Sequence, residues 1–399
     1  MFQRASFLAV PITMSAAVGA AYFMQKRAEE RDWNQLRPPG RLYQVGPHSP
    51  PLHAIVRGQG SPCVLLECSN GGLTQDWSRV VDDLAQFTTV VAYDRAGLGF
   101  SSGPECDLKL LKRPRCAKQI STELQQLLVS IPNLDASKGV ILVGHGQGAA
   151  STVEVARALP ALRGIDGDVP CIAGLVLLDP VCGVQQAHKD ISQETAAAID
   201  SMQTGSTTHA QLATFGVARI IMNLPNSIRS LSNLYLPKDC PTVQALSSRV
   251  THRSTVADEV QCYANDDKQL HATIQMALEN SQCVVSDGKV PVLVIGHGNA
   301  TMFKDLASIG GDQSTAQNRL ERLEHLWQNG QMDLAKSLSG NSVYLRAKKT
   351  EHHMPQKHPT LTVEAVRAVL VQAQHNEKDG CDVLEKFKEE HHVERVIGL

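Results

Sequence analysis

The sequence predicts an α/β protein with a mainly parallel sheet that is covered by helices on both faces. Short β-branched runs alternate along the chain with stretches whose apolar residues recur at three- and four-residue steps, which is typical of strands followed by amphipathic helices. The chain has 399 residues, of which 42% are hydrophobic and 20% charged, and this is enough for one large buried core. Neither a disordered chain nor a small disulfide-dependent domain fits these values.

The N-terminus carries an 18-residue segment without a charge, Phe7–Met24, with basic residues on both sides. A helix needs about 20 apolar residues to cross a bilayer, so residues 1–31 are predicted to form a hydrophobic helix that anchors the chain in a membrane by a single pass. The segment is short, rich in alanine and contains Pro11, and two alternatives therefore stay open. One is a signal peptide cleaved near Ala20, which leads into the secretory pathway. The other is a mitochondrial presequence.

A charged linker over residues 32–49, with Pro38-Pro39-Gly40 inside it, is predicted to separate this segment from the folded body. Seven runs rich in β-branched residues are predicted to be strands: Leu52–Val56, Cys63–Glu67, Thr89–Tyr93, Val140–Val143, Leu175–Leu178, Val290–Ile295 and Ser342–Leu345. Four stretches with helical periodicity lie among them: Trp77–Ala85, Ala117–Ser130, Ala149–Ala158 and Thr362–Gln374.

About a hundred residues before the strand at Val290 contain no strong strand and are rich in Ala, Gln, Leu and Ser. This is too long for an ordinary connection. Residues 184–289 are therefore predicted to form a helical lid inserted into a core domain, whose two parts cover residues 50–183 and 290–375. Residues 376–399 are predicted to form a charged C-terminal helix.

Charge and cysteine usage exclude several classes of function. The 38 basic and 40 acidic side chains leave a formal net charge of −2, so no basic surface for nucleic acid is predicted. The ten cysteines include no pair at the two-residue gap that is typical of zinc sites and redox couples. No metal and no cofactor is predicted.

A strand, a tight glycine-rich turn and a helix start follow one another over residues 139–150, GVILVGHGQGAA. This is the context of a nucleophile elbow, in which a sharp turn exposes a nucleophile at the end of a strand. With this turn, the chain resembles the α/β-hydrolase superfamily over roughly residues 50–375. Three other segments carry the resemblance: CVLLECSNGG at 63–72, TVVAYDRAGLGFSS at 89–102 and GLVLLDP at 174–180. The resemblance implies a mainly parallel sheet of the eight-stranded type, and hydrolysis of an ester or a related acyl substrate.

The elbow has a glycine where the resemblance implies a serine. The motif is Gly144-His145-Gly146-Gln147-Gly148, and its central residue, Gly146, carries no side chain that can attack an acyl carbon. The flanking glycines still allow the turn to form. The sequence therefore predicts an intact scaffold without its attacking atom.

The resemblance also implies an acid and a histidine. The acid position after the seventh strand is Asn299, which is neutral, and no carboxylate lies within residues 180–186; Asp305 and Asp312 are possible substitutes. The histidine is predicted to be His352, which lies seven residues before Pro359, with His353 as an alternative. It is predicted either to act as a base or to contact a ligand or neighbouring structure.

The loop after the predicted strand Cys63–Glu67 is predicted to form the oxyanion or ligand site together with the residue that follows the elbow. The residues proposed for this role are Ser69, Asn70, Gly71 and Gln147. A relocated nucleophile at Cys68 or Ser69 is an alternative, and Ser151 is a weaker one. Three residues are predicted to close strand ends by hydrogen bonds rather than to act in catalysis: Asp94, Arg95 and Asp179.

Three functions fit these observations. The favoured hypothesis is a degenerate, membrane-tethered α/β-hydrolase-fold protein that lacks the serine nucleophile and keeps a pocket for a small apolar or acyl ligand. The second is an active hydrolase with a relocated nucleophile and His352 as base. The third is a non-catalytic scaffold that binds another protein, whose identity the sequence does not indicate.

Overall fold

The computed structural model describes residues 3–160, 169–182, 204–222, 240–285, 288–298, 313–374, 387 and 393–397. Within them one sheet contains nine strands: β1 Arg41–Tyr43, β2 Leu52–Arg57, β3 Cys63–Glu67, β4 Val90–Tyr93, β5 Val140–His145, β6 Ile172–Leu178, β7 Val292–His297, β8 Ser342–Ala347 and β9 Val393–Ile397. Their order across the sheet is β1-β2-β4-β3-β5-β6-β7-β8-β9. Neighbours from β4 to β8 are parallel, whereas β1, β2 and β9 run antiparallel to their neighbours.

All seven predicted strands are present, with small differences at their ends. Two edge strands were not predicted. β1 has only three residues, which is too short for a periodic signal. The predicted charged helix at 376–399 is wrong for Val393–Ile397, which pairs antiparallel with β8. Its sequence, VERVI, is rich in β-branched residues and fits an edge strand better than a helix.

The described helices flank this sheet: α1 Gln3–Gln35, α2 Ser78–Leu84, α3 Ala117–Ser130, α4 Gly148–Ala158, α5 over 204–213, α6 Val217–Met222, α7 Pro241–Ser247, α8 Val250–Glu279, α9 Gln313–Leu338, α10 Met354–Lys357 and α11 Pro359–Gln374. Successive residues of β3 alternate between two apolar clusters: Cys63 and Leu65 belong to one, Val64 and Leu66 to the other. The first cluster includes residues of α3, α4, α8 and α9, and the second those of α2 and α11. Burial on both faces explains the nearly continuous apolar runs of the central strands.

The predicted insertion at 184–289 is described over residues 204–222, 240–285 and 288–289, where its regular elements are the helices α5 to α8. At the other end of the chain, α1 continues past the predicted boundary at residue 31 to Gln35. The predicted linker at 32–49 is therefore wrong for its first residues, and its residues 41–43 join the sheet. Trp33 packs against Phe100 with ring centroids 5.9 Å apart. In the described part of the chain, no helix combines the length and the apolar character that crossing a membrane requires.

Candidate functional site

The elbow predicted around Gly146 is present. Gly146 has a φ of +56° and lies between β5 and α4. A Cβ atom on Gly144 would lie 2.5 Å from Thr152 Oγ1, and one on Gly148 would lie 2.2 Å from the carbonyl oxygen of Cys68. These two glycines let the strand, the helix and the neighbouring loop approach closely. The turn therefore keeps its shape although its central residue is not a serine.

Two side chains border the space that a side chain on Gly146 would occupy. A Cβ atom there would lie 2.5 Å from Ser69 Oγ and 3.0 Å from both Cε1 and Nε2 of His352. The backbone N–H of Gln147 donates a long hydrogen bond of 3.4 Å to Ser69 Oγ. The structure thus brings Ser69, Gln147 and His352 together at the elbow.

The carboxylate partner of His352 is Asp179, the residue directly after β6. His352 Nδ1 donates to Asp179 Oδ2 over 2.6 Å. The aspartate side chain is fully buried, whereas the His352 side chain is 12% exposed. The acid therefore lies at Nδ1 of the imidazole and the elbow at Nε2, which is the orientation that a base in a catalytic triad has.

The acid was expected elsewhere. Asn299, Asp305 and Asp312 lie outside the described residues. The prediction that Asp179 only closes a strand end is incomplete, because its carboxylate also holds His352. The signal in the sequence is the aspartate at the end of GLVLLDP, directly before residues 180–186, which contain no carboxylate.

A second histidine, His297 at the end of β7, binds the same carboxylate. His297 Nδ1 donates to Asp179 Oδ2 over 2.7 Å, and Nε2 donates to Glu324 Oε2 over 3.0 Å. Burial lowers the pKa of His297, but the two carboxylates outweigh burial and raise the pKa to about 10. His297 is therefore a buried imidazolium at neutral pH. Neither His297 nor Glu324 was predicted as part of the site.

Asp179 is ionised in this arrangement. Burial raises its pKa, but the charge of His297 and the hydrogen bonds from both histidines outweigh burial and hold the pKa well below its usual range. Trp327 Nε1 and Gln331 Nε2 also donate to Oδ1, over 3.0 and 2.7 Å. His297 and His352 thus share one oxygen of an ionised carboxylate.

Two further histidines border His352 and are neutral. Burial, reinforced by His352, lowers the pKa of His145 to about 3 and that of His353 to about 2. His145 Nε2 donates to the carbonyl oxygen of His352 over 2.8 Å. The ring centroids of His145, His353 and Trp327 lie 5.0, 5.2 and 6.3 Å from that of His352. His352 is thus surrounded by aromatic rings.

Arg95 fixes the loop after β3, which we call the oxyanion loop (residues 67–72). Arg95 Nη1 donates to the carbonyl oxygen of Cys68 over 2.8 Å, and Arg95 Nη2 donates to that of Ser69 over 2.7 Å. Its Nε atom pairs with Glu259 of α8 over 2.8 Å, and Gly71 N–H donates to the same carboxylate over 3.2 Å. Arg95 therefore joins the loop to α8, and Ser69 faces the elbow as a result.

The other proposed nucleophiles are engaged elsewhere. Cys68 Sγ lies 3.2 Å from the carbonyl oxygen of Leu73 and accepts a hydrogen bond from Trp77 Nε1 over 3.1 Å. Burial raises the pKa of Cys68 well above its usual value, so the reactive thiolate is not formed at neutral pH. Ser151 Oγ donates to the carbonyl oxygen of Gly148 over 2.9 Å, within α4.

Asn70 lines a small polar cavity between the oxyanion loop, Arg95 and the starts of α3 and α4. The cavity volume is about 20 Å³, which is enough for one water molecule. Asn70 Oδ1 is buried without a hydrogen-bond partner among the described residues. Over the same residues, no group of three or more His, Cys, Asp or Glu side chains is arranged to hold a metal ion.

A comparison with protein families agrees with this geometry. The sequence model of the Alpha/beta hydrolase family matches residues 64–365, which include the elbow, Asp179 and His352. The chain belongs to this family. No curated protein sequence matches this family member significantly.

Solved structures of hydrolases resemble this α/β-hydrolase family member. Epoxide hydrolase CorEH is 16% identical, with a TM-score of 0.51 over 81% of this chain and 95% of that one. A putative epoxide hydrolase from Pseudomonas aeruginosa is 14% identical, with a TM-score of 0.51 over 85% and 98%. A thermophilic esterase from Thermogutta terrifontis is 15% identical, with a TM-score of 0.49 over 82% and 95%. At these identities the two epoxide hydrolase structures establish the fold alone.

Proposed function

We propose that this chain is a degenerate serine hydrolase that binds a small apolar or acyl ligand without attacking it from the elbow. The observation that carries the proposal is Gly146. The turn that aims a nucleophile is intact, but its central residue has no side chain. The His297 cation adds support, since it shares Asp179 with His352 and weakens the pairing on which a general base depends.

The ligand is proposed to lie between the elbow and a lid formed by α5 to α8. Open α/β sheets bind ligands at the carboxyl ends of their strands, and β5 to β8 end around His352 in this way. Val256 of α8 lies close to the oxyanion loop, because a Cβ atom on Gly71 would be 2.9 Å from its Cγ2. Neutral aromatic rings offer apolar contacts, and the N–H of Gln147 offers a donor for a carbonyl oxygen.

Fluorophosphonate probes, which label activated serines, are expected to leave the wild-type chain unlabelled. The double change Gly146→Ser and Ser69→Ala is expected to give slow labelling, because it returns a hydroxyl beside His352 and removes the Ser69 oxygen that lies 2.5 Å from the new Cβ atom. Adding His352→Ala is the matched control and is expected to abolish that labelling. Gel fluorescence measures the extent, and peptide mass spectrometry locates the site.

An active hydrolase with Ser69 as a relocated nucleophile and His352 as base is the second candidate. A Cβ atom on Gly146 would lie 2.5 Å from Ser69 Oγ and 3.0 Å from His352 Nε2. Ser69 Oγ and His352 Nε2 are therefore no farther apart than the sum of these two distances. The N–H of Gln147 lies beside them as an oxyanion donor. This candidate replaces the first if the wild-type chain is labelled at Ser69, and if Ser69→Ala loses the label whereas Ser151→Ala keeps it.

Ligand binding is expected to raise the melting temperature of the wild-type chain by a few degrees with at least one member of a set of fatty acids, esters and small acyl compounds. Gly146→Ala is expected to reduce this shift, because the added methyl group enters the space next to Ser69 and His352. Gly19→Ala is the matched control, since a Cβ atom there meets nothing within 4 Å and α1 is not part of the proposed lid. If none of the compounds shifts the melting temperature, the scaffold hypothesis becomes the better one.

The N-terminal segment is proposed to attach the protein to a membrane. The support is the uncharged run Phe7–Met24 with its basic flanks. Several apolar side chains at the end of this run, Val18, Tyr22, Phe23 and Met24, are also exposed.

A further inference from the structure

The second half of α1 is a fixed part of the folded body. Gln25 and Glu29 lie one helical turn apart and are only 2% and 7% exposed. Gln25 Nε2 donates to the carbonyl oxygen of Ser248 over 3.1 Å. The guanidinium of Arg249 lies over the Trp33 ring, 4.8 Å from its centroid, a favourable cation–π distance. These contacts attach α1 to the segment that leads into α8.

Glu29 caps the N-terminus of α8. The N-cap residue of α8, Arg249, makes no side-chain cap, and Glu29 Oε1 instead accepts a hydrogen bond from Val250 N–H over 2.8 Å. The first N–H groups of a helix have no partner within the helix. A carboxylate beside them satisfies one donor and compensates the positive end of the helix dipole. The start of α8 thus depends on α1.

α8 in turn holds the oxyanion loop. Glu259 lies nine residues after Val250, about 14 Å along the helix. Its carboxylate accepts hydrogen bonds from Gly71 N–H over 3.2 Å and from Arg95 Nε over 2.8 Å. Because Arg95 also holds the carbonyl oxygen of Ser69, a continuous series of contacts leads from α1 to the elbow.

Residues 18–24 of α1 include apolar side chains that face the solvent. Val18, Tyr22, Phe23 and Met24 are 49%, 46%, 55% and 70% exposed. Cations lie next to them: the Lys26 ammonium is 6.0 Å from the Tyr22 ring centroid and the Arg27 guanidinium 4.6 Å from that of Phe23. An apolar helix surface bordered by cations matches the boundary between acyl chains and anionic headgroups.

We infer that α1 docks on an anionic lipid surface with residues 18–24 and controls the oxyanion loop through α8 with residues 25–35. The inference rests on the proposed membrane attachment. It adds that the helix that attaches the chain to the membrane also contacts the elements that hold the oxyanion loop. Coupling between two sites is reciprocal. A change in how α1 lies on the membrane is therefore transmitted to Gly71 and Ser69.

Hydrogen exchange on the full chain tests the link between α1 and the loop. Glu29→Ala is expected to accelerate the exchange of the N–H groups of Val250 and Gly71 about tenfold. Glu29→Gln, which keeps an acceptor oxygen, is expected to restore most of the protection. Glu30→Ala, at an exposed position on the same helix, is the matched control and is expected to change neither group. Unchanged exchange at Gly71 in Glu29→Ala overturns the link, even where lipid binding persists.

Sedimentation of the full chain with phosphatidylcholine vesicles, with and without the anionic lipid phosphatidylglycerol, tests the occupant of the exposed surface. Binding is expected with the anionic vesicles and is expected to fall about tenfold in the double variant Phe23→Ser and Met24→Ser. Met276→Ser is the control, because Met276 is 64% exposed on α8. Absent binding, or lipid-free self-association that the double variant removes, overturns both the lipid surface and the membrane attachment. Binding that the double variant leaves undiminished overturns this surface alone. The ligand-binding proposal is unaffected by these outcomes, since its test contains no vesicles.

Discussion

Replacing Arg95 by methionine is expected to lower the free energy of unfolding by about 3–5 kcal/mol. Arg95 is 3% exposed and lies between the carboxylates of Glu67 and Glu259, at 2.7 and 2.8 Å. Methionine occupies a similar volume but leaves two buried carboxylates without their cation. It also removes the donors that hold the carbonyl oxygens of residues 68 and 69. Urea unfolding at neutral pH measures the loss.

An exposed ion pair is the control for this prediction. Arg157 lies 2.9 Å from Glu154, with side-chain exposures of 43% and 27%, and such pairs contribute about 0–1 kcal/mol. Arg157→Met is therefore expected to have a small effect. Adding Glu259→Gln to Arg95→Met is expected to recover part of the lost stability, since it removes one unpaired charge. A loss for Arg95→Met no larger than that for Arg157→Met would show that Arg95 does not hold this network.

His297 alone is expected to contribute a fall of about 2 kcal/mol in the free energy of unfolding between about pH 6.5 and pH 8.5. The pKa of His297 is raised from 6.5 to about 10 in the folded state. In this window the folded state therefore keeps a proton that the unfolded chain loses. Raising the pH then favours the unfolded chain, by about 1.4 kcal/mol for each full unit. Other groups also titrate in the unfolded chain near this range, namely the thiols and the histidines whose pKa is lowered in the folded state, such as His145 and His353.

Urea unfolding measured across this pH range, in the wild-type chain and in two variants, checks the origin of the slope. His297→Gln is expected to remove the His297 contribution, because the amide does not titrate, so its stability falls by about 2 kcal/mol less than that of the wild-type chain over this range. His325→Gln is the control, since this histidine lies on the exposed side of α9 and is expected to leave the slope in place. Equal slopes in His297→Gln and the wild-type chain would place the titrating group elsewhere.

Both predictions concern groups that hold the elbow rather than groups that react. Arg95 keeps the oxyanion loop against α8, and His297 shares the carboxylate that orients His352. A site that retains its supports but has glycine at position 146 fits the proposed loss of elbow chemistry. The same supports position the oxyanion loop and His352 beside the elbow.

Several features of this protein follow from the sequence alone because they are local. The central strands are short β-branched runs buried on both faces, so each is recognisable without knowledge of its neighbours. The elbow turn depends on glycines within five residues, and the absence of a nucleophile at Gly146 is visible in the same motif. His352 was predicted from its spacing to Pro359. The fold class and the missing attacking atom were thus determined by sequence.

The tertiary structure decided which distant residues act together. Asp179, His297 and His352 meet because β6, β7 and β8 are parallel neighbours whose carboxyl ends share one edge of the sheet, although 118 residues separate Asp179 from His297. The charge of His297 depends on the same arrangement, since burial and two carboxylates together set its pKa. Glu29 and Val250 are 221 residues apart and pair across two helices. No local pattern specifies such partners, because hydrogen bonding between distant residues depends on where folding places them.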